Sequence, residues 1–160
     1  MAGTAQPESR DRAASDRPLQ SNKVRQAVAL FDVIESVDRP KLARAIADEA
    51  EMQGRDPAIY IQVNVGKEPQ KGGVPPAEAP DLIQACRAVY QLNVQGLMCI
   101  PPAGVDPSDH FACLRSIAED HGLRILSMGM SADYRQAIAQ GATHVRVGTS
   151  IFGARAPLAQ

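Results

Sequence analysis

The sequence predicts an α/β protein built on a parallel β-sheet. Segments rich in β-branched residues recur near residues 34, 61, 97, 126 and 145, and a helical pattern separates each from the next. Such alternation is typical of parallel sheets assembled from βα units. The 160 residues are 44% hydrophobic and 22% charged, which is a globular composition and a length that suits one domain.

Composition and charge exclude several classes of function. Seventeen basic and eighteen acidic residues give a net charge of −1, which argues against a surface for nucleic acids or anionic membranes. No apolar run reaches the roughly 18 residues that a membrane-spanning helix needs. Cys86, Cys99 and Cys113 form no CxxC pair, so we expect no disulfide framework, no metal site and a cytoplasmic location.

The first 17 residues are expected to form a disordered tail, because they contain no periodic apolar face. Organised structure is therefore expected over residues 18–160. In chain order the predicted elements are a helix at 22–30, a strand at 31–37, a helix at 38–54, a strand at 58–65, a helix at 77–90, a strand at 93–100, a helix at 106–121, a strand at 123–129, a helix at 131–141 and a strand at 143–148. Asn22, Asp38 and Ser131 are the predicted caps of three of these helices.

Five strands fit two parallel architectures. One is an open doubly wound sheet. The other is a (β/α)8 barrel or part of one, although a barrel typically takes about 250 residues. The number of strands favours the open sheet, whereas the last two loops favour the barrel.

These two loops have the features of an anion site. SMGMSADY contains Gly129 and Ser131, and GTSIFGA contains Gly148 and Thr149. Each loop opens a helix, and free amides with a hydroxyl nearby bind phosphate well. In (β/α)8 barrels the phosphate site typically uses the loops after the last two strands. The alternative, which the spacing leaves equally open, is two ordinary turns.

Arg146 lies within the last predicted strand. Strand alternation places His144, Arg146 and Gly148 on one face, and Val145 and Val147 on the other. If the valines pack against helices, Arg146 points into the barrel, where a buried guanidinium needs an acceptor. That acceptor is either a carboxylate on another strand or a ligand, such as a cofactor ring nitrogen or a substrate carboxylate.

Several longer motifs resemble one family when they are taken in order. They are PLQSNK at 18–23, IQVNV at 61–65, KGG at 71–73, GLMCIP at 96–101, SMGMSADY at 127–134 and VRVGTSIFGAR at 145–155. Over about residues 18–155 they resemble the pyridoxal-phosphate homeostasis proteins, which are relatives of the alanine racemase N-terminal barrel domain. The resemblance implies an incomplete (β/α)8 barrel, with about five of eight βα units, over residues 18–160.

The resemblance also implies a small-molecule partner, pyridoxal 5′-phosphate, and a role in vitamin B6 homeostasis. In the family the cofactor phosphate is held after the last two strands, which implies Met130, Ser131, Gly148 and Thr149 here. An arginine lies near the pyridine nitrogen, which implies Arg146. Such an arginine keeps that nitrogen unprotonated and the ring a poor electron sink, so no catalytic residue is expected. The alternatives are a racemase-like enzyme and a nonbinding remnant.

The family's Schiff-base lysine, in a segment of the form A-V-S-K, has no match in this sequence. The four lysines are Lys23, Lys41, Lys67 and Lys71, and none lies in a predicted strand. We therefore expect a truncated family member that binds the cofactor noncovalently. An incomplete barrel would also expose both sheet edges, which favours self-association.

Overall fold

Six parallel strands form one sheet in the computed structural model, which describes residues 12–153. The strands are hydrogen-bonded in chain order, each to the next. They are β1 (Ala14–Ser15), β2 (Val33–Val37), β3 (Ala58–Gln62), β4 (Val94–Met98), β5 (Ile125–Met130) and β6 (His144–Arg146). The sheet is a half-barrel, so of the two predicted architectures the incomplete barrel is confirmed.

Helices connect successive strands. They are α1 (Val24–Leu30), α2 (Pro40–Gln53), α3 (Ala79–Gln84), α4 (Ser108–Asp120), α5 (Tyr134–Ala139) and α6 (Thr149–Phe152). A short 3₁₀ helix at Ser21–Lys23 leads into α1, and a π-helical segment at Ala85–Val89 continues α3. Pro40 stands in the first turn of α2, and Gly54, with a φ of 61°, ends it as predicted. The predicted caps Asp38 and Asn22 are wrong, because α2 has Arg39 as its N-cap and α1 has Lys23.

The first strand lies inside the segment that the sequence predicted to be a disordered tail. Ala14 pairs with Val33, and the carbonyl of Ala13 accepts the amide of Asp32 at 2.8 Å. Backbone pairing of two residues needs no apolar periodicity, so the sequence pattern did not reveal it. The predicted disorder is wrong at β1, and the sheet has six strands rather than five. Residues 1–11 of the predicted tail lie outside the described residues.

The outer face of the sheet is apolar and is covered by the helices. Its strands contribute Ile34, Ile59 and Leu97, which pack with helical residues such as Ile46 and Phe111, and all five are fully buried. Alternation along each strand gives the inner face the remaining residues. There a smaller apolar cluster contains Val33, Ala58, Tyr60 and Met98.

The loop between β3 and α3 is tied together by one side chain. Asn64 donates to the carbonyl of Glu68 at 2.8 Å and accepts the Glu68 amide at 3.1 Å. Lys71 Nζ lies 2.7 Å from Glu68 Oε2 and 3.4 Å from the carbonyl of Pro101 at the end of β4. The ammonium of Lys71 is therefore paired with a carboxylate.

Within residues 12–153, no helix is long and apolar enough to cross a lipid bilayer. In the same part of the chain, no three His, Cys, Asp or Glu side chains are grouped so that they could hold a metal ion. All three cysteines are free thiols.

Candidate functional site

The carboxyl ends of β5 and β6 bring the two predicted anion loops together. Met130 pairs with Arg146 across these strands, so the loops that follow them begin side by side. Met130 and Ser131 belong to the first loop, and Gly148 and Thr149 belong to the second. All five residues that the sequence assigned to the site therefore lie at one edge of the half-barrel.

Asp133 makes two hydrogen bonds within the loop after β5. Asp133 Oδ1 accepts the amide of Met130 at 2.7 Å, and the Asp133 amide donates to the carbonyl of Met130 at 3.1 Å. Helix α5 begins at Tyr134 with Asp133 as its N-cap, so the prediction that Ser131 caps this helix is wrong. Aspartate side chains readily bond to the backbone three residues earlier, which is a local signal that the sequence analysis missed. The Met130 amide already has a carboxylate partner.

Gly129 allows the backbone of this loop to approach α5. Its φ is +96°, and a Cβ built there would lie 2.6 Å from Ala137 Cβ and 3.0 Å from Tyr134 Cα. Only glycine fits this position, because any side chain would be strained and would collide with the helix. The close approach fixes where the Met130–Asp133 turn stands.

The loop after β6 opens directly into α6, as the sequence predicted. Gly148 is the N-cap, and its carbonyl accepts the amides of Ile151 and Phe152 at 3.0 and 2.8 Å. A Cβ built on Gly148 would meet nothing within 4 Å, so space is open beside this backbone. The first amides of a helix have no partner within it, which makes this turn a source of donors for an anion.

Arg146 points into the half-barrel and is only 12% exposed. Its Nη1 donates to Ser127 Oγ at 2.7 Å, and its Nη2 donates to the carbonyl of Cys99 at 2.9 Å. Glu35 Oε2 lies 4.0 Å from Nη1, and Asp16 Oδ2 lies 3.9 Å from Nε. The predicted inward direction is confirmed. The direct acceptors are a hydroxyl and a backbone carbonyl, whereas the carboxylate of Glu35 on β2 forms an ion pair at 4.0 Å.

Glu35 is the site residue that the sequence analysis missed. It is buried on β2, and its Oε2 accepts the hydroxyl of Ser127 on β5 at 2.5 Å. The Tyr60 and His144 rings, with centroids 6.1 Å apart, lie edge to face on the same side of the sheet. Burial and then the negative charge of Glu35 raise the pKa of the Tyr60 hydroxyl above its ordinary value. The only signal in the sequence was a charged residue inside a largely apolar strand.

The half-barrel, with its loops at the carboxyl ends of the strands, defines the chain as a member of the alanine racemase N-terminal domain class. The family model described as "Alanine racemase, N-terminal domain" matches residues 12–156. Within this class the chain belongs to the pyridoxal phosphate homeostasis protein family. A protein of that name from Pseudomonas aeruginosa is 41% identical over 143 residues, which are 86% of this chain and 62% of the relative.

Solved structures agree with this assignment. PipY of Synechococcus elongatus without PLP is 38% identical, with a TM-score of 0.82 over 88% of this chain and 70% of PipY. PipY with PLP bound is 37% identical, with a TM-score of 0.79 over 88% of this chain and 69% of PipY. The alanine racemase of Clostridium difficile shares the fold. It is 14% identical, with a TM-score of 0.70 over 89% of this chain and 39% of the racemase.

The chain spans less than two thirds of the curated relatives that it matches. The alignment covers 62% of the Pseudomonas aeruginosa protein and 64% of a pyridoxal phosphate homeostasis protein from Aquifex aeolicus, to which the chain is 39% identical over 86% of its length. The site loops after β5 and β6 and the inward-facing Arg146 lie inside the segment that the family model matches.

Proposed function

We propose that this chain binds pyridoxal 5′-phosphate noncovalently at the carboxyl edge of the half-barrel and serves in the cytoplasmic homeostasis of that cofactor. Gly148 and Thr149, with Met130 and Ser131, would hold the phosphate. Arg146 would face the edge of the pyridine ring. The observation that carries the proposal is the open first turn of α6 directly after the strand that holds Arg146.

The residues present fit such a ligand. A phosphate group needs backbone and hydroxyl donors, and the bare backbone of Gly148 leaves space for it at the start of α6. The buried guanidinium of Arg146 supplies positive charge on the inner side of the same strand. The Met130 amide contributes only if the phosphate takes the place of the Asp133 carboxylate there. Members of the matched family are named for pyridoxal phosphate homeostasis, and PipY holds PLP in a crystal.

The positions of the lysines support noncovalent binding. Lys23 lies in the 3₁₀ helix, Lys41 lies in α2, and Lys67 and Lys71 lie in the loop after β3. None of these lysines extends from a strand of the sheet. Lys71, the lysine beside the end of β4, is paired with Glu68.

A carrier role suits this arrangement better than turnover. When bound, pyridoxal phosphate supplies an aldehyde and an electron-accepting ring. An arginine beside the ring nitrogen leaves that nitrogen unprotonated and weakens the ring as an electron sink. Arg146, bonded to Ser127 and Cys99, would favour retention of the cofactor over carbanion chemistry.

A cofactor titration tests the proposal. Pyridoxal phosphate should raise the melting temperature saturably, and borohydride reduction followed by intact mass should reveal no adduct. Gly148→Ala should weaken binding at least tenfold, because its methyl group fills the space meant for the phosphate. It should barely change the melting temperature of the cofactor-free protein, since that methyl group meets no atom of the chain.

Arg146→Met should also weaken binding, and Arg135→Met on the exposed face of α5 is the control with the same change of charge. A reduced adduct on one lysine would refute noncovalent binding. The absence of any shift in melting temperature in the unaltered chain would refute the proposed function itself.

A further inference from the structure

We propose that Glu35 is a positioning residue for Arg146 and acts through the hydroxyl of Ser127. The proposal deepens the proposed function, since Arg146 is the group assigned there to the cofactor ring. Glu35 is the one buried carboxylate within residues 12–153, and the proposal gives it a role.

The three side chains form one directed chain of hydrogen bonds across the half-barrel. Arg146 Nη1 on β6 donates to Ser127 Oγ at 2.7 Å, and Ser127 Oγ on β5 donates to Glu35 Oε2 at 2.5 Å. β3 and β4 separate β2 from β5 in the sheet, so the second bond spans the inner space rather than two neighbouring strands. Ser127 is fully buried, and Glu35 is 6% exposed.

The direction of these bonds matters because a serine hydroxyl has one proton. The carboxylate of Glu35 can only accept, so the hydroxyl proton of Ser127 points toward Glu35 and the lone pairs of Ser127 point toward Arg146. Nη2 of the same guanidinium donates to the carbonyl of Cys99 at 2.9 Å. Acceptors on two adjacent nitrogens fix both the plane and the rotation of the planar group.

Without an acceptor at position 35, the Ser127 hydroxyl turns to another partner. Arg146 then loses one of the two hydrogen bonds that orient its guanidinium. The guanidinium remains charged and inward but no longer keeps a single orientation. Recognition of a ring edge depends on that orientation, whereas phosphate recognition at Gly148 and Thr149 does not.

A purely electrostatic role of Glu35 predicts the opposite result. A negative charge 4.0 Å from Arg146 opposes an anionic ligand, so its removal alone would tighten binding of pyridoxal phosphate. Two substitutions separate the roles. Glu35→Gln loses the charge but keeps an oxygen that accepts from Ser127, whereas Glu35→Met loses both at similar volume.

The first measurement needs no ligand. Arg146 side-chain N–H resonances in the cofactor-free full chain should show hindered rotation of the guanidinium. Glu35→Met and Ser127→Ala should abolish it, whereas Glu35→Gln should retain it. Glu51→Met, at an exposed glutamate of α2, is the matched control and should have no effect. Unchanged Arg146 signals in both Glu35→Met and Ser127→Ala would overturn the proposal, whether or not the chain binds the cofactor.

The second measurement compares two ligands in the same variants. Glu35→Met should bind pyridoxal phosphate about tenfold more weakly, Glu35→Gln should stay within about threefold of the unaltered chain, and inorganic phosphate should bind all of them equally. The double variant Glu35→Met, Ser127→Ala should lose no more than either single variant. Equal or tighter binding of pyridoxal phosphate by Glu35→Met would refute positioning. If the unaltered chain does not bind pyridoxal phosphate, the proposed function is refuted. The role of Glu35 is then tested by the Arg146 resonances alone.

Discussion

The two faces of the half-barrel sheet differ in what covers them. Helices cover the outer face, and a large apolar cluster of buried strand and helix residues lies between them and the sheet. The inner face has a cluster of four buried hydrophobic residues and, beside it, the polar group formed by Glu35, Ser127 and Arg146. Both faces are built from the same strands, because successive side chains point in opposite directions.

The difference shows that polar groups in such a sheet must find partners among its own strands. On the outer face a charged residue would meet only apolar helix surface and would be costly to bury. On the inner face, curvature brings β2 within hydrogen-bonding distance of β5, and brings the Glu35 carboxylate to 4.0 Å from the guanidinium on β6. A carboxylate, a hydroxyl and a guanidinium can therefore satisfy one another there. Three predictions test this contrast, from the largest expected effect to the smallest.

The outer cluster should tolerate truncation least. Phe111 of α4 and Met98 of β4 are both fully buried, the first in the outer cluster and the second in the inner one. Phe111→Ala should lower the free energy of unfolding by about 3–5 kcal/mol, because the closed layer cannot refill the cavity. Met98→Ala should lower it by about 2 kcal/mol. Urea denaturation measures both, and an equal loss would remove the distinction between the faces.

Buried serines should differ according to their partners. Ser127 links Glu35 and Arg146, whereas the hydroxyl of Ser36, also buried in the sheet, has no hydrogen-bond partner among the described residues. Ser127→Ala should cost about 2 kcal/mol, because charged partners lose a hydrogen bond. Ser36→Ala should be neutral or slightly stabilising. The same denaturation experiment compares them, and a larger loss at Ser36 would contradict the assigned network.

Alkaline pH should weaken the outer face through its thiols. Burial raises the pKa of Cys86 from 9.0 to about 12, so the folded thiol stays protonated where the unfolded one ionises. Its contribution is complete below pH 9 and is lost as the pH rises from 9 toward 12. At pH 10 the loss is about 1.4 kcal/mol relative to neutral pH.

The measurement is the free energy of unfolding at pH 7 and pH 10 for the unaltered chain and Cys86→Ala. The fall between the two pH values should be smaller in the variant by that amount. An identical fall in the Cys86 variant would contradict the raised pKa.

The sequence predicted the features that depend on local patterns. The order and type of the main strands and helices follow from periodicity, and the inward direction of Arg146 follows from its valine neighbours. The two-residue β1 was missed because only its backbone pairing with β2 reveals it. The Glu35–Ser127 contact was missed because 92 residues separate the pair, and their approach depends on the curvature of the whole sheet. The turn at Asp133 was local and could have been predicted.

The order of the strands in the sheet also sets the sequence of events during synthesis. Each strand pairs with the one made just before it, so a strand leaving the ribosome finds its partner already translated. Paired residues lie between 16 (Met130 and Arg146) and 36 (Tyr60 and Gly96) positions apart, so no strand has to wait for a distant segment. The link from Glu35 to Arg146 is the exception, because it forms only after β6 has emerged. That link is therefore a marker that β6 has joined the sheet, and a stalled chain that ends before β6 would carry a sheet without it.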